Sequence, residues 1–142
     1  MNTPISDKAL RILHGRDACE LRPAVLNERD ELGRNLTDCL ILLATNPLGA
    51  VGENPLPIIR KLLEAGADVT QSLDHIVNLH ELYFEATAQN SREYRQAVDN
   101  ATDIIPALLS AGAVISQSAL DSAKYNCDPR IQTLLAMVPV RG

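Results

Sequence analysis

Ile58-Ile59-Arg60-Lys61-Leu62-Leu63-Glu64-Ala65-Gly66-Ala67-Asp68-Val69-Thr70 returns forty-six positions later as Ile104-Ile105-Pro106-Ala107-Leu108-Leu109-Ser110-Ala111-Gly112-Ala113-Val114-Ile115-Ser116. Seven of the thirteen positions are identical, and Val69/Ile115 and Thr70/Ser116 are near matches. Each copy places apolar side chains at i, i+1, i+4 and i+5, one face of a helix. Each then reaches a glycine, Gly66 or Gly112, the residue that tolerates the left-handed conformation just past a helix end. A helix of this kind cannot bury its apolar stripe alone; repetition means it stacks on a copy of itself.

The stretch Leu62-Leu63-Glu64-Ala65-Gly66-Ala67-Asp68-Val69 resembles the second helix and exit turn of an ankyrin repeat, and Leu108 to Ile115 resembles a more diverged one. Leu26-Asn27-Glu28-Arg29-Asp30-Glu31-Leu32-Gly33-Arg34 is similar to the hairpin that opens such a repeat. Ser118 to Lys124 followed by Ile131 to Leu135 is similar to a terminal one. The family's T-P-L-H helix opening is degenerate: Asn35-Leu36-Thr37-Asp38 is the nearest match and Ser118-Ala119-Leu120-Asp121 the next. Spacing departs as well, because the family unit is about 33 residues and Val69 to Ile115 is 46, read as insertions inside repeats. The resemblance implies an all-α, ankyrin-like helical repeat solenoid of three to four repeats including caps.

The expected division is a cap over 5–26, a repeat over 27–69, a repeat with an insertion over 70–115 and a terminal repeat over 116–138. In the cap, Ser6 or Asp7 starts a helix that ends at His14-Gly15, and Asp17 opens a second one that Pro23 interrupts. The first full repeat has helices near 36–44 and from Pro57, joined by a loop over 45–55 with two Pro and two Gly. In the next, a helix from Ser72 or Asp74 runs toward Gln89. An insertion follows at 90–102, where Ser91 can cap an extra turn carrying Tyr94, Ala97 and Val98. Thr102 or Asp103 then starts the echo helix, which leaves Pro106 in a first turn, where a missing N–H is harmless. Last come a capping box at Ser118/Asp121 and an Asp128-Pro129 helix start.

Composition narrows the function classes. A net charge of −5 lacks the clustered bases that a nucleic-acid binder needs. Four of those five charges fall between Gln71 and Asp103, a solvated outer face or a patch that steers a basic partner. No run of eighteen apolar residues exists, so no membrane-spanning helix is expected, and Met1-Asn2-Thr3-Pro4 carries no secretion pattern. Three widely spaced cysteines, Cys19, Cys39 and Cys127, fit reduced thiols and a cytoplasmic setting.

Catalytic signals are thin. His75 and His80 are five apart, about 140° out of phase on a helix, so they do not form the shared-face pair that zinc requires. No activating base is placed beside Cys39 or Cys127, so no catalytic residue, metal or cofactor is assigned. What the ankyrin resemblance implies instead is binding of another protein through hairpin tips and the concave face. The tip positions are Arg29, Asp30, Glu31, Leu32 and Arg34, with Asp38 on the first helix; Gln71, Asp74 and Asn78 follow in the next repeat, and Gln117 and Asp121 in the last. Tyr83 joins them as an aromatic anchor, with Phe84 assigned to the core and Tyr94 a second candidate contact. The expected protein is a monomer or weak dimer; the alternative is a small inhibitor, immunity-type protein or bacterial effector that occludes an enzyme, and a metal-dependent hydrolase using His75/His80 is less favoured.

Overall fold

In both echo segments the apolar stripe forms a helix and the glycine ends it. In the computed structural model, which describes residues 4–13, 22–47, 56–83 and 91–141, Gly66 has φ +95° and Gly112 has φ +89°. The turns match bond for bond. Gly66 N–H donates to Leu63 O (3.2 Å) and Ala67 N–H to Leu62 O (3.0 Å); Gly112 N–H donates to Leu109 O (3.1 Å) and Ala113 N–H to Leu108 O (3.0 Å). This pair of bonds satisfies carbonyls that a helix end otherwise leaves without a donor.

The described elements are α1 (Ile5–Leu13), α2 (Pro23–Leu26), α3 (Leu36–Thr45), α4 (Leu56–Glu64), α5 (Ser72–Tyr83), α6 (Arg92–Ser110), β1 (Ile115–Ser116), α7 (Gln117–Asn126), α8 (Pro129–Leu135) and β2 (Val140–Arg141). The fold is all-α. Its two strands are two residues each and form a single parallel pairing, Ile115 with Val140 and Ser116 with Arg141.

Many of the helix contacts skip one helix, though α3 also packs on α6 as extensively as on α5, and the neighbours α3 and α4, and α7 and α8, touch as well. α1 lies on α3, α3 on α5 and α5 on α7, while α4 lies on α6 and α6 on α8. Two side chains tie successive members of the first series at their N-terminal ends. Asp38, third residue of α3, accepts from Ser72 Oγ at the start of α5 (2.5 Å). Asp74, third residue of α5, accepts from the Ser116 amide that caps α7 (2.9 Å).

Two apolar clusters result. One gathers Ala9, Ile12, Leu26, Leu36, Cys39, Leu40 and Leu62. The larger holds Ile59, Leu73, Ile76, Tyr94, Ile104, Leu108, Ile131 and their neighbours, with Leu63 and Leu109 packed against it. Helix α4 contributes Leu62 to one and Ile59 to the other, so it joins them. Buried polar side chains fasten the C-terminal end of α3: Asn100 Nδ2 donates to Ala44 O (2.8 Å), and His80 Nε2 lies 3.0 Å from Thr45 O. Burial lowers the His80 pKa below 6.5, which keeps the ring neutral there.

Several expected boundaries move. Over its described part, 91–102, the insertion expected at 90–102 is no separate element, because α6 runs unbroken for nineteen residues from its Ser91 cap, whose Oγ accepts from Tyr94 N–H (3.1 Å). Tyr94, Ala97, Val98, Ala101, Ile104, Ile105 and Leu108 are all buried in α6, one stripe that overrides the local start signal at Thr102 and Asp103. Pro106 therefore sits deep inside this helix rather than in a first turn. Helix α7 is capped by Ser116, whose Oγ accepts from Ala119 N–H (3.1 Å), so Ser118 is a helical residue and not the cap. Pro23 is the first residue of α2, following an extended Arg22, and α1 begins at Ile5, ahead of Ser6. The Asp128-Pro129 start holds, with Asp128 Oδ1 accepting from Arg130 N–H (2.9 Å). The His14-Gly15 stop, Asp17, most of the 45–55 loop, and Phe84 to Asn90 lie outside the described residues.

Candidate functional site

The hairpin is built around one carboxylate. Asp30 Oδ1 accepts from the Leu32 and Arg34 amides (2.9 Å each), and its Oδ2 takes the Arg34 Nε–H (2.9 Å). Asp30 N–H donates to Arg34 O (2.8 Å) and Gly33 N–H to Asp30 O (3.0 Å), closing the turn. The reversal needs a positive φ, which Gly33 supplies at +77°. Burial raises the Asp30 pKa, but the Arg34 amide and guanidinium outweigh it, so the group lies below its ordinary 3.8.

A second set of bonds ties the hairpin to the body. Arg29 reaches Gly33 O (2.6 Å), Asp68 Oδ2 (2.9 Å) and Asp38 Oδ2 (3.4 Å). Asn27 exchanges bonds with the exit turn of α4, accepting from Asp68 N–H (2.8 Å) and donating to Gly66 O (3.2 Å). Asn35 caps α3, accepts from Asp38 N–H (2.9 Å) and donates to Asp68 O (2.8 Å). Asp68 is held below 3.8, first by the Thr70 amide and then by the Thr70 hydroxyl and Arg29.

This architecture divides the twelve residues expected to touch a partner. Asp38 is only 1% exposed and is the hub beneath the hairpin, holding the Asn35 amide (3.2 Å), Ser72 and Arg29. It is not a surface contact. A carboxylate at the third helical position turns back onto the cap, a direction the helix repeat alone does not convey. Arg29, Asp30 and Arg34 are half-buried and taken up in ion pairs with one another or with Asp68 and Asp38. Asp74 is half-buried on Ser116, and Tyr83 is half-buried at the end of α5. Tyr94, the second candidate contact, is a core residue whose hydroxyl donates to Asp128 Oδ2 (3.1 Å). Burial pushes its pKa upward.

Glu31, Leu32, Gln71, Asn78, Gln117 and Asp121 are exposed. Leu32 stands at the hairpin tip with 70% of its surface open. Two more apolar side chains belong with them: Leu82 near the end of α5 at 69% and Tyr125 near the end of α7 at 80%. A helical-face reading was available for Leu82, since Gln71, Asn78 and Leu82 recur at seven and four residues, within about 40° of one another. Because α5 packs on α7, and Asp74 links their N-terminal ends, the exposed stripes of these two helices run along neighbouring elements.

His80 is fully buried against Thr45 O, while His75 Nε2 lies 3.7 Å from Asp38 Oδ2, so the two rings have different surroundings. Among the described residues no three His, Cys, Asp or Glu side chains gather as a metal site would require. Cys39 and Cys127 are buried free thiols, their pKa pushed up by burial to about 11 and about 12, the opposite of an activated nucleophile. Among the described residues no helix is long and apolar enough to cross a membrane. Comparison with protein-family profiles, curated proteins and solved structures finds no match to this chain.

Proposed function

We propose that the chain is an ankyrin-like helical repeat solenoid that acts as a protein-binding module, working as a monomer or weak dimer in the cytoplasm. The observation that supports this reading is the packing order, α1 on α3, α3 on α5, α5 on α7, α4 on α6 and α6 on α8, with Asp38–Ser72 and Asp74–Ser116 as successive links. The matching exit turns at Gly66 and Gly112 support it. In such a stack a hairpin and the outward stripes of α5 and α7 are held by a rigid body, so little ordering is lost when a partner binds.

The contact set under this reading is Glu31, Leu32, Gln71, Asn78, Leu82, Gln117, Asp121 and Tyr125, all exposed. Leu32, Leu82 and Tyr125 supply apolar anchors and the others a polar rim, the usual anatomy of an interface. The test is capture from the native cell by the wild-type chain and by an L32S/L82S/Y125S variant of unchanged circular dichroism. One partner retained by the first and lost by the second is the expected result. Equal capture by both places binding elsewhere and ends this version of the surface.

A further inference from the structure

The hairpin carries a charge pattern that its composition hides. Residues 28–34 contain three acids and two bases and read as nearly neutral. Both bases are half-buried and ion-paired: Arg34 pairs with Asp30 (2.8 Å), and Arg29 pairs with Asp68 (2.9 Å) and Asp38 (3.4 Å). Glu28 and Glu31 remain exposed, with no ion pair among the described residues. They flank a cleft of about 470 Å³ between the start of α1 and the hairpin, where Pro4, Ile5 and Leu32 supply apolar wall.

From this geometry we propose that the cleft docks a partner's polypeptide segment that carries a lysine or arginine beside an apolar side chain. The inference rests on the protein-binding reading and names the chemistry of the partner. Unpaired carboxylates beside an exposed leucine complement a basic residue next to an apolar one, while Arg29 and Arg34, which share the lining, are already paired with Asp30, Asp38 and Asp68. The volume falls in the range of concave sites that enclose a few groups, enough for a short segment and too little for a folded domain. Leu32 is prepared for such a contact, because its amide is fixed to Asp30 Oδ1 (2.9 Å) and Gly33 closes the turn behind it. Asp30, the third carboxylate of the lining, is taken up by Arg34, and among the described residues no three His, Cys, Asp or Glu side chains are placed to hold a cation.

The probe is a phage-displayed random peptide library panned on the whole chain, followed by titration of the selected peptides at low and high salt. Expected are sequences in which Lys or Arg adjoins Leu, Ile, Val or Phe, with affinity that falls as salt rises. E28Q/E31Q, which removes charge at exposed positions, weakens these peptides by about tenfold or more, and L32S weakens them at every salt concentration. An E93Q/R95Q variant, altered on the exposed side of α6 and outside the contact set, binds them unchanged. Selected peptides without basic residues, or full affinity for E28Q/E31Q, overturn the proposal. Peptides that keep full affinity for L32S and lose it in a Q71A/N78A/Q117A variant, altered at the helix contacts outside the cleft, overturn the cleft and leave the protein-binding reading standing. If no peptide is enriched over an unrelated helical protein, the cleft proposal fails, while capture from the native cell tests the broader reading separately.

Discussion

Replacing Pro106 with alanine should stabilise the protein, and the size of the gain reports where α6 begins. Pro106 is the fifteenth residue of a nineteen-residue helix and is exposed. It cannot donate to Thr102 O, and its ring crowds that carbonyl. In an exposed helix interior, alanine is favoured over proline by about 3 kcal/mol. That figure already includes the greater freedom of the unfolded alanine chain, so the expected gain for the variant is about 3 kcal/mol. Because the side chain projects into solvent beside the open groove formed with Arg60, Leu63 and Glu64, alanine leaves no cavity in the core. Urea unfolding followed by far-UV circular dichroism should show a higher midpoint with an unchanged slope. Had the helix begun at Asp103, Pro106 would fall in a first turn whose amides bond to nothing in the helix, and P106A would alter little. A midpoint that stays put or falls refutes a continuous Arg92–Ser110 helix.

Other substitutions probe the joints of the stack. G66A and G112A should each lose about 1–2 kcal/mol. Both positions have positive φ and open space where a methyl would go, so backbone strain is the whole effect and the two losses in urea midpoint should be similar; a gap of several-fold would mean the turns are not equivalent. D38N should destabilise by about 2 kcal/mol or more, since charge-assisted bonds to Arg29 and Ser72 weaken in a buried site; a neutral result in the same assay removes Asp38 as the hub. Acid should act at His80. Its folded pKa is below 6.5, so the unfolded chain binds the extra proton and stability declines as pH drops beneath 6.5 toward the folded value. H80Q, which keeps a donor for Thr45 O, should flatten that part of the stability–pH curve, and an unchanged curve would show that His80 is not buried neutral. Asp30 and Asp68, held low, contribute stability that is present above 3.8 and lost as pH falls through their folded values.

What was legible in the sequence had a local cause. The glycine exits follow from φ constraints written in one residue, and the duplicated stripe follows from helical spacing, so both could be read without tertiary knowledge. The extent of α6 could not be read from its boundary residues, because Thr102, Asp103 and Pro106 are good helix starters taken alone. The stripe Tyr94–Val98–Ala101–Ile105–Leu108 crosses that apparent start without a break, and burial of the stripe decides the outcome. For the candidate surface, exposure was legible where a side chain has no mate, as at Leu32, Gln71 and Asn78. It was misread where a mate lies far along the chain: Arg29 meets Asp68 across 39 positions, and Asp38 meets Ser72 across 34. Charged residues in a turn look solvent-facing until such partners are known.

The central claim is that successive helices share one continuous stack, and the links at Asp38 and Asp74 are its most direct signature. Nuclear Overhauser contacts in the labelled protein measure both at once. The stack predicts cross-peaks from the Ser116 amide proton to the Asp74 β-protons and from the Ser72 β-protons to the Asp38 β-protons, with the links present together. Complete assignments of α3, α5 and α7 that lack both sets of cross-peaks would contradict it.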